Sequence, residues 1–257
     1  MLLHGISRSV AAILWTLALL PLQLIAVRLP DPVSGFIPQI YHRGAARIIG
    51  LQINVDGEPA RTGPALYVAN HSSWLDIIVL GSILRAGFVA KSEVSKWPAF
   101  GTLARLQRTI FVSRDRHKTR QGTDEVSQNL AAGRPLILFP EGTSNNGVSV
   151  LPFRSSFFSV VENEATRATP VQPVSISYVS RGGLPVVRSA MPQIAWYGDM
   201  TLLPHLWRLF CEGGKIAISV KFHPLPDIQE NPSRKVLAAS CHEAVLQGVS
   251  NARRFEA

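Results

Sequence analysis

An uncharged apolar stretch opens the chain, and short apolar runs divided by polar helical segments follow it. From Ser9 to Val27 the sequence reads SVAAILWTLALLPLQLIAV, flanked by Arg8 and Arg28. As a helix this run of 19 residues would be roughly 28 Å long, close to the hydrocarbon thickness of a bilayer. Pro21 and Gln23 interrupt its second half. It fits a transmembrane helix, an interfacial or re-entrant apolar helix, a cleaved signal or a core helix. No convincing small-x-small site follows the run, so a membrane helix is the expectation. Pro30, Pro32, Gly35 and Pro38 punctuate the next stretch. An amphipathic helix is predicted over 39–50, with Arg43 and Arg47 one turn apart on one face. Residues 1–50 are read as a membrane-anchoring segment of one apolar and one amphipathic helix.

After residue 50 the period changes. LQINVDG (51–57) reads as a strand and turn, and ALYVAN (65–70) as a buried strand with a helix over 74–84 behind it. GFVAKSEV (87–94) begins as a strand and ends polar, and TIFVSR (109–114) is another short β run. A helix over 118–132 stops at Gly133, a C-terminal glycine signal. RPLILFP (134–140), PVQPVSISYV (170–179) and KIAISVKFHPL (215–225) are three further strands, and a helix over 233–249 ends the pattern. Strands alternating with helices predict an α/β fold, with a mixed, largely parallel buried sheet flanked by helices over 51–257.

Composition narrows the partners. The net charge is +9, yet only 17% of residues are charged and 46% are hydrophobic. A basic and apolar chain suits an anionic membrane surface. No basic helix or aromatic-basic motif of a nucleic-acid reader is present, so no nucleic acid is expected. Cys211 and Cys241 form no C-x-x-C pair and have no histidines at zinc spacing, which predicts reduced core thiols and no metal.

Three polar constellations stand out. Asn70-His71-Ser72-Ser73-Trp74-Leu75-Asp76 lies where a strand ends and a helix begins, the edge at which α/β sites are built. His71 has the side chain suited to taking a proton from a hydroxyl near neutral pH. Asp76 is five residues on, about 140° away on a regular helix. The two meet only if His71 sits in the entry turn and bends back, where a carboxylate fixes the imidazole tautomer. Phe139-Pro140-Glu141-Gly142-Thr143 with Ser144-Asn145-Asn146-Gly147 is the second, a polar loop after an apolar strand. Glu141 offers an acceptor for substrate hydroxyls, and Gly142 allows close backbone approach. A plain polar turn is the competing reading. The third is basic: Arg105, Arg108, Arg114, Arg116, Lys118 and Arg120. Arg114, at a strand end, is the one suited to hold a phosphate or carboxylate.

Four blocks in order resemble the glycerolipid acyltransferase family that includes 1-acylglycerol-3-phosphate acyltransferases: NHSSWLD (70–76), FVSR (111–114), FPEGT (139–143) with Phe153-Arg154 downstream, and VQPVSIS (171–177). The resemblance implies a single acyltransferase domain behind an N-terminal membrane helix. It implies that His71 and Asp76 are the catalytic base and its orienting carboxylate, and that Arg114, Glu141, Gly142 and Thr143 bind the acceptor. Asn70, Ser73, Phe111 and Arg154 are implied as further substrate contacts. The implied reaction moves a fatty acyl group from acyl carrier protein or coenzyme A onto a lysolipid hydroxyl. The acyl thioester is a co-substrate, and no cofactor is implied. The first-ranked acceptor is 1-acyl-sn-glycerol-3-phosphate. Lyso-ornithine lipid is the alternative, because the segment 195–207 resembles a variant among bacterial members, some of which acylate it. A non-catalytic lipid-binding protein is the alternative of another class. Three departures bear on acceptor choice: Arg108 where the family often has glycine, Ser144-Asn145 where it often has Arg-Ser, and Arg154 where it often has lysine. The implied location is a bacterial-type cytoplasmic membrane, with the site facing the cytoplasm and membrane lipid.

Overall fold

A computed structural model describes residues 1–29, 33–60, 63–113, 116–227 and 233–254. The strands are β1 (Leu51–Asp56), β2 (Leu66–Ala69), β3 (Gly87–Lys91), β4 (Ile110–Val112), β5 (Leu136–Leu138), β6 (Val171–Arg181), β7 (Leu184–Pro185) and β8 (Ile216–Phe222). Among the described residues they form one sheet of order β1-β8-β6-β2-β5-β3-β4, with β7 pairing beside β6. Only β6–β8 and β6–β7 run antiparallel. The sheet is therefore mixed and mostly parallel, as the alternation of elements predicts.

The helices are α1 (Leu2–Ala26), α2 (Val33–Ile49), α3 (Leu75–Ile83), α4 (Phe100–Leu106), α5 (Arg116–Ala131), α6 (Leu202–Glu212) and α7 (Arg234–Arg254). They cover both faces of the sheet. Successive strand residues point to opposite faces, so β2 supplies two cores. Tyr67 and Ala69 pack with Leu75, Val79 and Leu80 of α3 and Leu209 and Phe210 of α6. Leu66 and Val68 pack with Val126 and Leu130 of α5 and Cys241, Val245 and Val249 of α7. Burial on both sides is why LYVA and LIL carry no polar position. Cys241 is a core thiol, pushed up to about 12 by burial.

The elements differ from the sequence expectation at several places. α1 starts before Arg8, and α2 begins at Val33 rather than 39 and absorbs Pro38 near its start. α4 and α6 are additional helices. α4 has seven residues, too short for a helical period to declare itself. Pro204 sits in the first turn of α6, where no intrahelical donor is lost. Arg108 adopts φ 58, a conformation that glycine takes freely.

α1 does not stand clear of the body. Gly5 lies against Trp207 and Cys211 of α6, and the Trp15 ring lies over Gly44 of α2. Arg8 donates to the Phe210 carbonyl, Trp15 Nε1 to the Tyr41 carbonyl, and Gln23 Nε2 to the Leu106 carbonyl. Its other side remains apolar and bare, with Leu3, Ile13, Leu17 and Ile25 exposed. By length and composition α1 is apolar enough to cross a membrane.

Candidate active site

β2 ends at Ala69, and the next residues turn sharply into α3. Asn70 makes the turn rigid. Its amide donates to the Ile176 carbonyl at 2.9 Å and accepts the Ile176 N–H at 2.8 Å, prolonging the β2–β6 pairing by side chain. His71 follows in the entry turn and folds back over the start of α3. Its Nδ1 lies 2.9 Å from Asp76 Oδ2. This is the geometry that the five-residue spacing requires, since a continuous helix would hold the pair apart.

Asp76 is fully buried and surrounded by donors. Oδ2 also accepts the N–H groups of Ser72 and Ser73 at 2.8 and 2.9 Å, and Oδ1 accepts the Tyr178 hydroxyl at 2.6 Å. A carboxylate offers only acceptors, so the proton of a neutral His71 sits on Nδ1 and Nε2 keeps its lone pair. Among the described residues Nε2 has no hydrogen-bond partner, and the side chain is 17% exposed. The imidazole stacks on Phe139, centroids 4.1 Å apart, which fixes its plane. A half-buried imidazole with one nitrogen anchored and the other open can remove a proton from an incoming hydroxyl.

Glu141 holds the backbone of His71. It is 2% exposed, and its carboxylate faces inward. Oε1 accepts the His71 N–H at 2.8 Å, and Oε2 accepts the Leu151 N–H at 3.2 Å and the Asn145 amide. Asn145 N–H returns to the His71 carbonyl at 2.9 Å. The loop 139–151 is thereby stitched to the loop 70–76. Burial pushes the Glu141 carboxyl up to about 7, against the pull of its donors. A third segment closes the site: Ser73 Oγ donates to the Ile194 carbonyl at 2.7 Å, and the Trp196 N–H to the Ser72 carbonyl at 2.8 Å. Arg253 of α7 donates to the carbonyls of Gly147 and Val148 behind the loop.

The residues implied by resemblance thus divide by position. His71, Asp76, Glu141, Gly142 and Asn70 converge, but Asn70, Ser73 and Glu141 are buried, with side chains occupied by the chain itself. These hydrogen bonds give all three a part in holding the loops together. Gly142 takes φ +69 in a tight turn, and the Arg154 guanidinium lies against it. Thr143 and Arg154 are exposed beside that turn. Phe111 sits half-buried on β4, the third strand along from β2. Arg114 lies outside the described residues. The sequence pattern does not single out Tyr178 or Arg253, and it marks Asn145 only as part of the polar loop. The signal for Tyr178 is a polar-tipped residue in phase with Val174 and Ile176 on a core-facing strand.

Comparison with known proteins bears on this geometry. The family model described as Acyltransferase matches residues 52–177. Lyso-ornithine lipid O-acyltransferase of Brucella abortus (strain 2308) is 37% identical over 240 residues, covering 91% of this chain and 90% of that protein. The chain belongs to the acyltransferase family. The 1-acyl-sn-glycerol-3-phosphate acyltransferase of Neisseria gonorrhoeae is 30% identical over 210 residues, covering 80% of this chain and 77% of its own. The crystal structure of the 1-acyl-sn-glycerophosphate (LPA) acyltransferase PlsC from Thermotoga maritima superposes with a TM-score of 0.64 at 20% identity, covering 95% of this chain and 97% of that chain. At that identity the superposition shows a shared fold. The family match spans β1 to β6 and so contains both loops that hold the His71–Asp76 pair.

Proposed function

We propose that this acyltransferase moves a fatty acyl group from a thioester onto the free hydroxyl of a lysolipid, with lyso-ornithine lipid as its main acceptor. The observation that carries the chemistry is His71, with Nδ1 held by Asp76 and Nε2 open. Nε2 takes the hydroxyl proton as the oxygen attacks the thioester carbonyl. The tetrahedral intermediate expels the thiolate, which recovers a proton from the imidazolium. A thiol of pKa roughly 8.5 needs little acid assistance to leave. Asp76 stabilises the imidazolium, and positioned base catalysis of this kind is worth ~10²–10⁴-fold. The step uses the acyl thioester of acyl carrier protein or coenzyme A as co-substrate and calls on no cofactor.

Arg154, beside Gly142 and Thr143, suits the anionic end of the acceptor, and Arg114 is retained as a second cation from the sequence pattern. The resemblance ranks lysophosphatidate first, but the identities support the other order. Lyso-ornithine lipid acyltransferases of Brucella abortus and Rhizobium meliloti are 37% and 36% identical over more than nine-tenths of this chain. Lysophosphatidate stays as the second reading because of the Neisseria gonorrhoeae relative. Purified protein offered both lysolipids with a labelled acyl thioester decides between them. Faster labelling of lyso-ornithine lipid is expected. Exclusive labelling of lysophosphatidate would reverse the order, and labelling of neither would sink the proposal.

The docked α1 supports an interfacial position. A helix held along its length by α6, α2 and the end of α4 lies against the domain, with its bare apolar side free to enter one leaflet. We place the site on the cytoplasmic side of the inner membrane, where acyl thioesters are made. Protease cleavage near Glu141 only from the opposite side would contradict this topology.

A further inference from the structure

We infer that Tyr178 is a positioning residue for the reaction, holding Asp76 so that its other oxygen is aimed at His71. The inference rests on the general-base reading of His71 proposed above.

β6 runs beneath the site. Its register with β2 pairs Leu66 with Val171 and Ala69 with Val174. β2 stops there and β6 continues, so residues 175–181 lie beneath the turn that carries His71 and the start of α3. Strand alternation places Val174, Ile176 and Tyr178 on the face that packs against α3. Ile176 is spent on Asn70, one level lower. Tyr178 is next on that face, and its hydroxyl meets Asp76 Oδ1 at 2.6 Å. The β6–β8 register shifts between Tyr178 and Ser180, an irregularity of the kind that re-aims side chains.

The division of labour on Asp76 gives Tyr178 its role. Three N–H groups, from Ser72, Ser73 and the His71 ring, all bond to Oδ2. Oδ1 receives the Tyr178 hydroxyl. A carboxylate tied at one oxygen alone can pivot about its Cβ–Cγ bond, and both Oδ2 and the imidazole it orients would move. A donor on the second oxygen removes that freedom. Tyr178 is 2% exposed, and burial followed by the adjacent Asp76 charge raises its hydroxyl well above the usual phenol range. It therefore remains a donor across the working pH range. A phenol in this place is more than core filling: phenylalanine would fill the same volume and leave Oδ1 without this donor.

The test is a double-mutant cycle, with turnover and KM measured on the lysolipid that wild type acylates best. Tyr178→Phe is expected to lower kcat about 10-fold with KM for acceptor and thioester unchanged within twofold. In an Asp76→Asn background, where no carboxylate remains to be aimed, the same change is expected to cost less than twofold. Equal losses in both backgrounds, a loss seen in KM alone, or full turnover in Tyr178→Phe would overturn the inference. Should Tyr178→Phe fail to fold, protein carrying 3-fluorotyrosine at 178 keeps ring and hydroxyl and alters the strength of the donor. A changed kcat at constant KM supports the inference, and an unchanged kcat overturns it. Wild type inactive on every lysolipid would sink the functional reading and the inference together, whereas active wild type with additive losses would sink the inference alone.

Discussion

At the residue scale the site depends on a few side chains whose hydrogen bonds hold its loops in place. Asn70, Ser73 and Glu141 are buried: Asn70 ties the turn to β6, and Ser73 and Glu141 each bond a neighbouring loop. Glu141→Gln tests this. The amide keeps the shape but exchanges an acceptor oxygen for a donor, which must face a backbone N–H or the Asn145 amide. Burying such a mismatch costs about 1–3 kcal/mol. The expected outcome is a lower unfolding temperature with turnover reduced at least ~10-fold, followed by thermal melts and single-substrate kinetics. Unchanged turnover would show that His71 is held without this carboxylate. The motif residues themselves were legible, because a strand end followed by NHSSWLD is a local pattern. The direction of Glu141 was not, since whether a loop carboxylate faces solvent or packs inward is decided by residues 70 positions away. Tyr178 was hidden for the same reason: its strand was readable, but Asp76 above it is a tertiary neighbour.

At the element scale the strands were the readable part. Fully apolar β2 and β5 could only be buried strands, and the alternation of β6 and β8 fixed their faces. α4 and α6 were unreadable for want of length and because of Pro204, and the start of α2 was misplaced by Pro38. Helix–helix contacts here rely on glycine. A Cβ at Gly44 would come within van der Waals overlap of the Trp15 ring, and one at Gly81 would meet the His42 ring. Gly44→Val is therefore expected to push α1 off α2. Reduced sedimentation with anionic phospholipid vesicles and a lower melting temperature are the expected readouts, and wild-type behaviour in both would mean that α1 docking contributes little.

At the scale of the whole molecule, burial sets a pH dependence of stability. His42, packed between α2 and α3, and His223, beside Ser175 and α7, are both lowered by burial from 6.5 to about 4. Each is neutral when folded and protonates near 6.5 when unfolded. The unfolded chain therefore binds more protons between those values, and stability is full above pH 6.5 and lost as pH falls towards 4. Glu141 works in the opposite sense. Raised from 4.5 to about 7, it contributes below pH 4.5 and loses its contribution as pH rises through 7. His42→Gln isolates the first effect: its stability relative to wild type, from urea unfolding, should be greater at pH 5 than at pH 7.5. An offset independent of pH would contradict the assignment.

The proposed chemistry needs His71 as the proton acceptor at the carboxyl end of the central strand β2. The direct measurement is acyl transfer by purified wild type and His71→Ala, reconstituted with lysolipid and a labelled acyl thioester, with unfolding temperatures taken in parallel. His71→Ala is expected to lose about 10³-fold in turnover with an unchanged melting temperature. Wild-type turnover in a folded His71→Ala protein would contradict it.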